Sequence, residues 1–229
     1  MTRPTETPRR TPLSTERVLR AAVALADTIG IEALSMRRLS QELGVVPMAL
    51  YKHVAHKEEL LDGMVDAVVG EIDPPRSGAQ GMTAVRGRIL SARRVLSRHP
   101  WASRVIESRT APTPALLAYM DSMIGMFRAD GYSVDLTHHA MHALGSRLLG
   151  FSQELFDQSP DVDPGVREAG LRAMATAYPH VVEIAVRADH DGRSVVGQGC
   201  DDQFEFEFSL DLLLDGFERL RARGWRSTG

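Results

Sequence analysis

The stretch from Ser35 to Lys57 constrains the fold of this chain more than any other segment. It holds a short amphipathic run (SMRRLSQEL), a break at Gly44 and a second short run that opens on Pro47. Serine is a favoured helix N-cap, glycine a favoured stop and proline a favourable first helical residue. The stretch therefore predicts two short helices joined by a tight turn, which is the layout of a helix-turn-helix.

The second run, PMALYKH, is too short to be stable alone and needs neighbouring helices to hold it. Ser14 and an apolar spacing of three and four residues predict a helix over 15–29 that ends at Gly30. A further helix is predicted over 57–72, where a broad apolar stripe requires packing partners on two sides. These two helices supply the surfaces that hold the helix-turn-helix.

The side chains left outside the second run are a mixture of small, aromatic and cationic groups. Leu50 and Val54 are predicted to pack inward, which leaves outward Met48, Ala49, Tyr51, Lys52 and His53. A tyrosine hydroxyl and a lysine ammonium can reach phosphates, while small apolar side chains can contact base edges. This composition suits a helix in a DNA major groove, with Lys57 placed to contact a phosphate at the next helix start. The alternative is an exposed connector with Tyr51 in the core.

Charge is unevenly distributed along the chain. Residues 1–57 contain nine Lys and Arg against five Asp and Glu, although the whole chain has a net charge of -3. A basic head on an acidic body concentrates phosphate attraction at one end. Residues 1–13 are predicted to be a flexible N-terminal arm, in which Arg9 and Arg10 either reach a DNA groove or remain solvated.

The remainder of the chain has helical periodicity. Helices are predicted over 82–98, 101–107, 113–129, 134–157 and 166–178, followed by a helical or extended piece to about residue 187 and a polar loop over 188–202. The fold class is therefore all-α, with a helix-turn-helix head over 14–57 and a larger core over 58–229 that includes the linker helix. The core is expected to bind a ligand and to dimerise.

The last run, FEFEFSLDLLLDGFERL, alternates like a strand at its start and then follows helical steps of three and four. Its apolar residues exceed one narrow stripe, so an interface helix in a four-helix bundle with a second copy is predicted. The predicted dimer-interface residues are Leu144, Leu148, Phe206, Leu210, Leu213, Phe217 and Leu220. A core helix within a single chain remains the alternative.

Residues 14–65 resemble the DNA-binding domain of the tetracycline-repressor (TetR) family, through GIEALSMRRLSQELGV and MALYKHVAHKEELLD. The C-terminal half also resembles that of the tetracycline repressors, through FEFSLDLLLDGFERL. The resemblance implies a homodimeric regulator, most simply a repressor released from a palindromic DNA operator by a small molecule, with an activator as the alternative. It assigns DNA contacts to Ser35, Met36, Arg37, Pro47, Met48, Ala49, Tyr51, His53 and Lys57.

The effector site departs from the tetracycline repressors. GEIDPP and RVIESRTAP lack the histidines that would bind a magnesium chelate, and Ser146 replaces a further one, although Glu154 retains an acidic position. A different effector, either apolar or anionic, is therefore expected. The predicted pocket residues are Trp101, Arg104, Met120, Met123, Phe127, His139, Arg147, Phe151, Glu154 and Met174, each with core packing as the alternative.

The sequence gives little support for a metal site, a redox-active thiol or a catalytic site. His138 and His142 have the i, i+4 spacing of metal ligands but no evident third ligand, so no metal and no cofactor are predicted. Cys200 lies among glycines and acids, which favours an exposed loop thiol. Catalytic motifs are missing, so an enzymatic core with an appended head is disfavoured. With neither a secretory signal nor an apolar run of about 18 residues, the chain is expected in the cytoplasm.

Overall fold

The computed structural model of the chain describes residues 12–76, 78, 80–150, 164–187 and 202–227. Within these ranges every regular element is an α-helix, which confirms the all-α class. The chain divides into two compact units, residues 1–137 and 138–229. The predicted N-terminal arm lies outside the described residues except for 12 and 13.

The first unit contains seven complete helices in the described ranges: α1 (Thr15–Ile29), α2 (Met36–Leu43), α3 (Pro47–Leu50), α4 (Lys57–Val69), α5 (Gly81–Arg98), α6 (Ala102–Ser108) and α7 (Pro114–Ala129). α8 (Val134–Leu149) begins in this unit and continues in the second, which also contains α9 (Pro164–Ala177), α10 (Pro179–Arg187) and α11 (Asp202–Ala222). The predicted boundaries agree with these to within a few residues, except that α3 ends before His53 and that the predicted end of α8, at residue 157, lies outside the described residues.

The head is held together by a small apolar core. Val18 and Ala22 of α1, Leu39 of α2 and Leu50 of α3 have no exposed surface, and Leu34 is 1% exposed. α1 packs against α2, and α2 packs against α3. The four-residue α3 is thereby fixed by tertiary contacts, as its short length requires.

Helix α4 connects the head to the rest of the first unit. It packs against α1 on one side and against α5, α6 and α7 on others. Leu60, Met64, Val65 and Val68 are at most 1% exposed, which confirms the broad apolar stripe. The backbone turns at Gly70, just after the last residue of α4.

Helices α5 and α7 pack together to form the remaining core of the first unit. Val85 and Ala92 of α5 and Met123 and Phe127 of α7 are at most 1% exposed. Tyr132 packs edge-on against Phe127, with ring centroids 5.1 Å apart. From this core, the polar side chains of α5 contact Glu71 and Asp73, just beyond the end of α4.

In the second unit, α11 is helical through its alternating start, so the strand-like pattern of Phe204, Phe206 and Phe208 does not form a strand. Phe206 and Leu210 are fully buried, whereas Phe204 and Phe208 are exposed. The predicted extension of α8 to residue 157, the loop over 188–201 and Cys200 lie outside the described residues. In the described part of the chain, no helix has the length and apolarity needed to cross a membrane.

Candidate nucleic-acid interface and its connection to the helical core

The turn between α2 and α3 is built by local backbone signals. The Ser35 hydroxyl accepts a hydrogen bond from the Arg38 N–H at 3.2 Å and caps α2. Gly44 ends the helix in the left-handed region, with φ 64° and ψ 35°. The Val45 N–H then donates to the Ser40 carbonyl at 3.0 Å, and Pro47 is the first residue of α3. These contacts fix the angle at which α3 leaves α2.

The outer surface of α3, formed by the helix and by the residues that flank it (Val46, Tyr51 and Lys52), is exposed and mostly apolar. Val46, Met48 and Tyr51 are 68%, 71% and 44% exposed, so Tyr51 is not a core aromatic. Lys52 and Pro47 are also exposed, while Ala49 and His53 are half-buried. Exposed apolar side chains beside a lysine, next to the fully buried Leu50, form a surface that suits a binding partner.

The predicted DNA contacts at the start of α2, Ser35, Met36 and Arg37, precede this surface in the sequence. Ser35 and Arg37 are exposed and Met36 is half-buried. Because the Ser35 hydroxyl already accepts the Arg38 N–H, only its own O–H is left to donate to a phosphate. The Arg37 side chain is exposed, so its guanidinium can reach a phosphate.

The start of α4 is closed by a reciprocal cap that was not predicted from the sequence. His56 Nδ1 accepts the Glu59 N–H at 3.1 Å, and Glu59 Oε2 accepts the Ala55 N–H at 2.5 Å. A serine or threonine usually occupies this cap position, and the glutamate three residues later was the one signal that marked it. Lys57 is the first residue of α4 and is exposed, so its ammonium can contact a phosphate.

Helix α4 presents a line of carboxylates at four-residue spacing to the core helices. Glu58 and Asp62 accept ion-pair hydrogen bonds from Arg109 Nη1 at 2.6 and 3.4 Å. The next member, Asp66, accepts the Ala115 N–H at 3.0 Å in the first turn of α7. The carboxylate of α4 thus caps α7, where the helix dipole favours negative charge. If α4 moved, these contacts would have to break, or Arg109 and the start of α7 would have to move together with α4.

A second polar cluster joins α1 to the segment between α5 and α6. Asp27 of α1 accepts the Trp101 indole N–H at 2.7 Å, and its carboxylate lies 2.9 Å from His99 Nδ1. His99 Nε2 lies 3.4 Å from Glu71, just beyond α4. His99 and Trp101 are 7% and 6% exposed. The cluster therefore ties the head helix, the end of α4 and the core through one buried imidazole.

Two carboxylates near the end of α4 have pKa values below their ordinary ones. Burial opposes ionisation of Glu71, but hydrogen bonds and charges of Arg98 and His99 outweigh it and lower its pKa. The Ser91 hydroxyl, at 2.8 Å, and then Arg94 lower the pKa of Asp73 despite some desolvation. Both groups are therefore held in the ionised form next to cationic partners.

The predicted pocket residues are divided between the two units. Met123 and Phe127 are buried on one face of α7, and Met120 is 38% exposed. Trp101 is engaged with Asp27, and the Arg104 side chain is 74% exposed and pairs with Glu32, which places it on the surface rather than in a buried wall. In the second unit His139 packs edge-on against Trp225, Arg147 donates to the Glu205 carbonyl, and Met174 is half-buried. Phe151 and Glu154 lie outside the described residues.

The predicted dimer residues are mostly buried inside one chain. Leu144, Leu148, Phe206, Leu210 and Phe217 are at most 9% exposed, so they offer a second copy almost no surface. Leu213 and Leu220 are half-buried. The exposed apolar residues of α11 are instead Phe204, Phe208 and Leu212, on the opposite side of the helix. The predicted helical periodicity is correct, but both sides of α11 are apolar and the sequence alone left open which one packs within the chain.

His138 of α8 contacts both of the neighbouring histidines of that helix, His139 and His142. The rings of His138 and His142 are 4.6 Å apart between centroids, and those of His138 and His139 are 5.1 Å apart. In the described residues, no group of three or more His, Cys, Asp or Glu side chains is arranged to hold a metal ion. The cluster is an aromatic contact on an exposed face of the helix.

Comparison with known proteins agrees with this geometry. Residues 18–64 match the family described as bacterial regulatory proteins, tetR family, and residues 75–221 match the tetracyclin repressor-like C-terminal domain. The chain is 31% identical to the HTH-type transcriptional repressor DrrR1 of Streptomyces coeruleorubidus, over 96% of this chain and 83% of that protein. It is 28% identical to the class C tetracycline repressor protein of Escherichia coli, over 91% of this chain and 92% of that protein.

Solved structures show the same fold. Apo ActR from Streptomyces coelicolor superposes with a TM-score of 0.71 at 25% identity, covering 94% of this chain and 99% of that one. ActR in complex with (S)-DNPA gives a TM-score of 0.70 at 26% identity, over 91% of this chain and 98% of ActR. Matches over both the head and the larger helical part identify the whole architecture rather than the helix-turn-helix alone. The chain therefore belongs to the TetR family of ligand-responsive bacterial transcriptional regulators.

Proposed function

We propose that this chain is a homodimeric repressor that binds a palindromic DNA operator through α3 and leaves it when a small molecule binds the helical core. The observation that carries the proposal is the outer surface of α3, where Met48 and Tyr51 are 71% and 44% exposed over a fully buried Leu50. A folded chain gains nothing in stability from such exposure, whereas a major groove would cover it.

Each candidate residue has a defined part in this proposal. Met48 and Ala49 contact base edges together with Pro47, and Tyr51, Lys52, His53 and Lys57 contact the phosphate backbone. Ser35, Met36 and Arg37 contact the backbone from α2. The basic head supports this division, because phosphate contacts supply most of the affinity and base contacts supply the sequence preference.

The operator can be found by selection, whichever gene the protein regulates. Selection of bound sequences from a pool of random DNA duplexes is expected to return an inverted repeat with half-sites separated by about one helical turn, roughly 34 Å. An enriched sequence without two-fold symmetry would contradict the dimeric mode of binding. Failure to enrich any sequence would contradict the assignment of α3.

The selected duplex then tests the surface of α3. Lys52→Ala is expected to weaken binding about tenfold and to reduce the slope of log affinity against log salt by about one, because one phosphate contact is lost. Arg219→Ala removes an exposed cation from α11 and is the charge-matched control. Equal salt slopes for the two variants would contradict a phosphate contact at Lys52.

The proposed dimer uses the exposed apolar face of α11. Phe204, Phe208 and Leu212 are 62%, 54% and 54% exposed and follow one another at four-residue spacing. Burial of this stripe against a second copy would remove it from water, which favours association. Phe208→Asp is expected to yield monomers in sedimentation velocity, whereas Leu117→Asp, at a residue 51% exposed on α7, should leave the dimer intact. A dimeric Phe208→Asp protein would exclude this face.

Effector release is proposed to act through α4. This helix contacts α1 of the head and three core helices, so displacement at its core side would change the position of α3 in each protomer. The missing histidines in the sequence favour an effector other than a magnesium–tetracycline chelate. Addition of that chelate is therefore expected to leave operator binding unchanged in a fluorescence anisotropy titration, and release would contradict this prediction.

A further inference from the structure

Arg88 is a buried guanidinium with few partners. It lies in the middle of α5 and is 7% exposed. Its Nη1 donates to the backbone carbonyl of Asp73, and its guanidinium carbon lies 4.9 Å from the centre of the Tyr119 ring. Its Nε is fully buried and has no acceptor among the described residues. Of the five donors of this side chain, one is used on the Asp73 carbonyl, and the Nε donor is buried without an acceptor in the described part of the protein.

Arg88 donates to the backbone carbonyl of Asp73, but the carboxylate of Asp73 binds other side chains. Asp73 Oδ2 accepts hydrogen bonds from the Ser91 hydroxyl at 2.8 Å and from Arg94 at 2.8 Å. No ion pair joins Arg88 to a carboxylate in the described residues. The guanidinium contacts only the carbonyl oxygen of Asp73 and the aromatic face of Tyr119. Burial removes most of the water around the guanidinium, and a carbonyl oxygen and an aromatic face compensate for its charge less than a carboxylate would.

Tyr119 adds a second unsatisfied donor beside this cation. Its hydroxyl is buried and has no hydrogen-bond partner among the described residues, although part of its ring is exposed. Burial raises the pKa of Tyr119 to about 12, and the nearby Arg88 charge only partly offsets this. At neutral pH the hydroxyl is therefore protonated and able to donate a hydrogen bond.

We propose that Arg88 and Tyr119 form an anion subsite that binds a carboxylate, or an equivalent anionic oxygen, of the effector. The inference rests on the proposed function, since it assigns a chemical class to the effector. A carboxylate would neutralise the guanidinium and accept from its free N–H groups and from the tyrosine hydroxyl. The existing bond from Arg88 to the Asp73 carbonyl links this subsite to the chain just beyond α4. Anion binding would thus act on the helix that carries the head.

The two helices that supply the subsite already pack together. Arg88 is on α5 and Tyr119 is on α7, and both helices contact α4. Arg88 also lies in register with the buried Val85 and Ala92, at three and four residues from them, so its side chain leaves α5 on the apolar side. An apolar side chain at this position would avoid the cost of burying a charge, so stability alone does not account for an arginine there.

The test uses the full-length protein and three acids, benzoate, 2-naphthoate and decanoate, each compared with its primary amide. Binding is measured by the rise in melting temperature with concentration and by isothermal titration calorimetry. At least one acid is expected to bind the wild type about 30-fold more tightly than its amide, as a charged hydrogen-bonded anchor implies. Equal binding of every acid and amide would overturn the proposal.

Variants then assign the preference to these two residues. Arg88→Met is expected to abolish the preference for the acid and to raise the melting temperature, because an unpaired buried charge is removed. Tyr119→Phe should weaken acid binding about fivefold without affecting the amide. Arg94→Met, which removes an exposed cation from the same helix, should retain the wild-type preference. Should Arg88→Met fail to fold, Arg88→Lys keeps the charge without the planar fork and is expected to lose about tenfold in acid affinity.

Operator binding by the same samples separates this inference from the proposed function. Arg88→Met is expected to bind the selected duplex as tightly as the wild type but to remain bound when the acid is added. An acid preference that survives in Arg88→Met would overturn the subsite while leaving the regulator intact. Loss of operator binding by the wild type itself would instead contradict the proposed function.

Discussion

The outer surface of α3 and the polar face of α4 belong to the same unit but are specified in different ways. The α3 surface follows from signals within a few residues, namely a serine cap, a left-handed glycine and a proline at the helix start. The α4 face is specified by partners far away in sequence, such as Asp66 with residue 115 and Glu58 with Arg109. Local signals therefore place the side chains of the proposed DNA-binding surface, while long-range polar contacts connect them to the core.

The largest effect is expected from the apolar core beneath α3. Leu50 has no exposed surface, so Leu50→Ala should lower the free energy of unfolding by about 3 kcal/mol through lost burial and a cavity. Urea denaturation followed by circular dichroism measures this change. Leu117→Ala, at a side chain 51% exposed, is the matched control and should stay within about 0.5 kcal/mol of wild type. Equal effects of the two substitutions would mean that tertiary contacts do not hold α3.

The cluster around Asp27 should give the next largest effect. Asp27→Ala leaves the buried Trp101 N–H and His99 without their acceptor, which should cost about 2 kcal/mol of unfolding free energy. Asp27→Asn keeps one acceptor oxygen and should lose about half as much. In a double-mutant cycle with Trp101→Phe, the second substitution should cost less in the Asp27→Ala background than in the wild type, because the N–H has already lost its partner. Additive effects would show that the two residues are not coupled.

The contrast between the two regions also explains what the sequence could predict. Ser35, Gly44 and Pro47 act on their own neighbours, so the helix-turn-helix follows from the residues of that stretch alone. The sequence favoured an outward Tyr51 but left a core position open, and the 44% exposure of its side chain excludes the core. Most helix boundaries in the described ranges are similarly local and were predicted closely, although α3 ends three residues before its predicted end at His53. The all-α class needed nothing beyond periodicity.

The missed residues depend on contacts between distant parts of the chain. Asp27 and His99 are separated by 72 residues, and neither has a local pattern that marks it. Arg88 could have been recognised from the sequence, because it interrupts the apolar stripe of α5. It was missed because the same helix contains several other arginines, so one more did not stand out. For α11, periodicity identified two apolar faces, and the choice between them depends on which helix lies against it.

The turn before α3 offers a smaller test of the local signals. Gly44 has φ 64° and no atom within 4 Å of an added Cβ, so Gly44→Ala should cost about 1 kcal/mol through backbone strain alone. Gly125, within α7, also has no atom within 4 Å, but its helical backbone should make Gly125→Ala stabilising by up to about 1 kcal/mol. Opposite signs in thermal or urea unfolding would establish the conformational role of Gly44. A loss of the same size at both positions would contradict it.

The smallest effect concerns Glu71, at the end of α4, and it depends on pH. The ordinary pKa of this carboxyl is 4.5 and the folded value is lower, because Arg98 and His99 outweigh the opposing effect of burial. Between the folded value and 4.5 the unfolded chain binds more protons, so the free energy of unfolding rises with pH in that window.

The stabilisation from Glu71 is thus complete above 4.5 and is lost as the pH falls through the folded value. Since the side chain is 41% exposed and screened by solvent, Glu71→Gln should cost only about 0.5 kcal/mol at pH 7. This difference from wild type should shrink as the pH falls below 4.5 towards 3, whereas Glu107→Gln, at an exposed residue of α6, should differ little from wild type at pH 7 or at pH 3. A difference that persists unchanged at pH 3 would show that the contact of Glu71 with Arg98 and His99 does not depend on its charge, and that this end of α4 is held by packing instead.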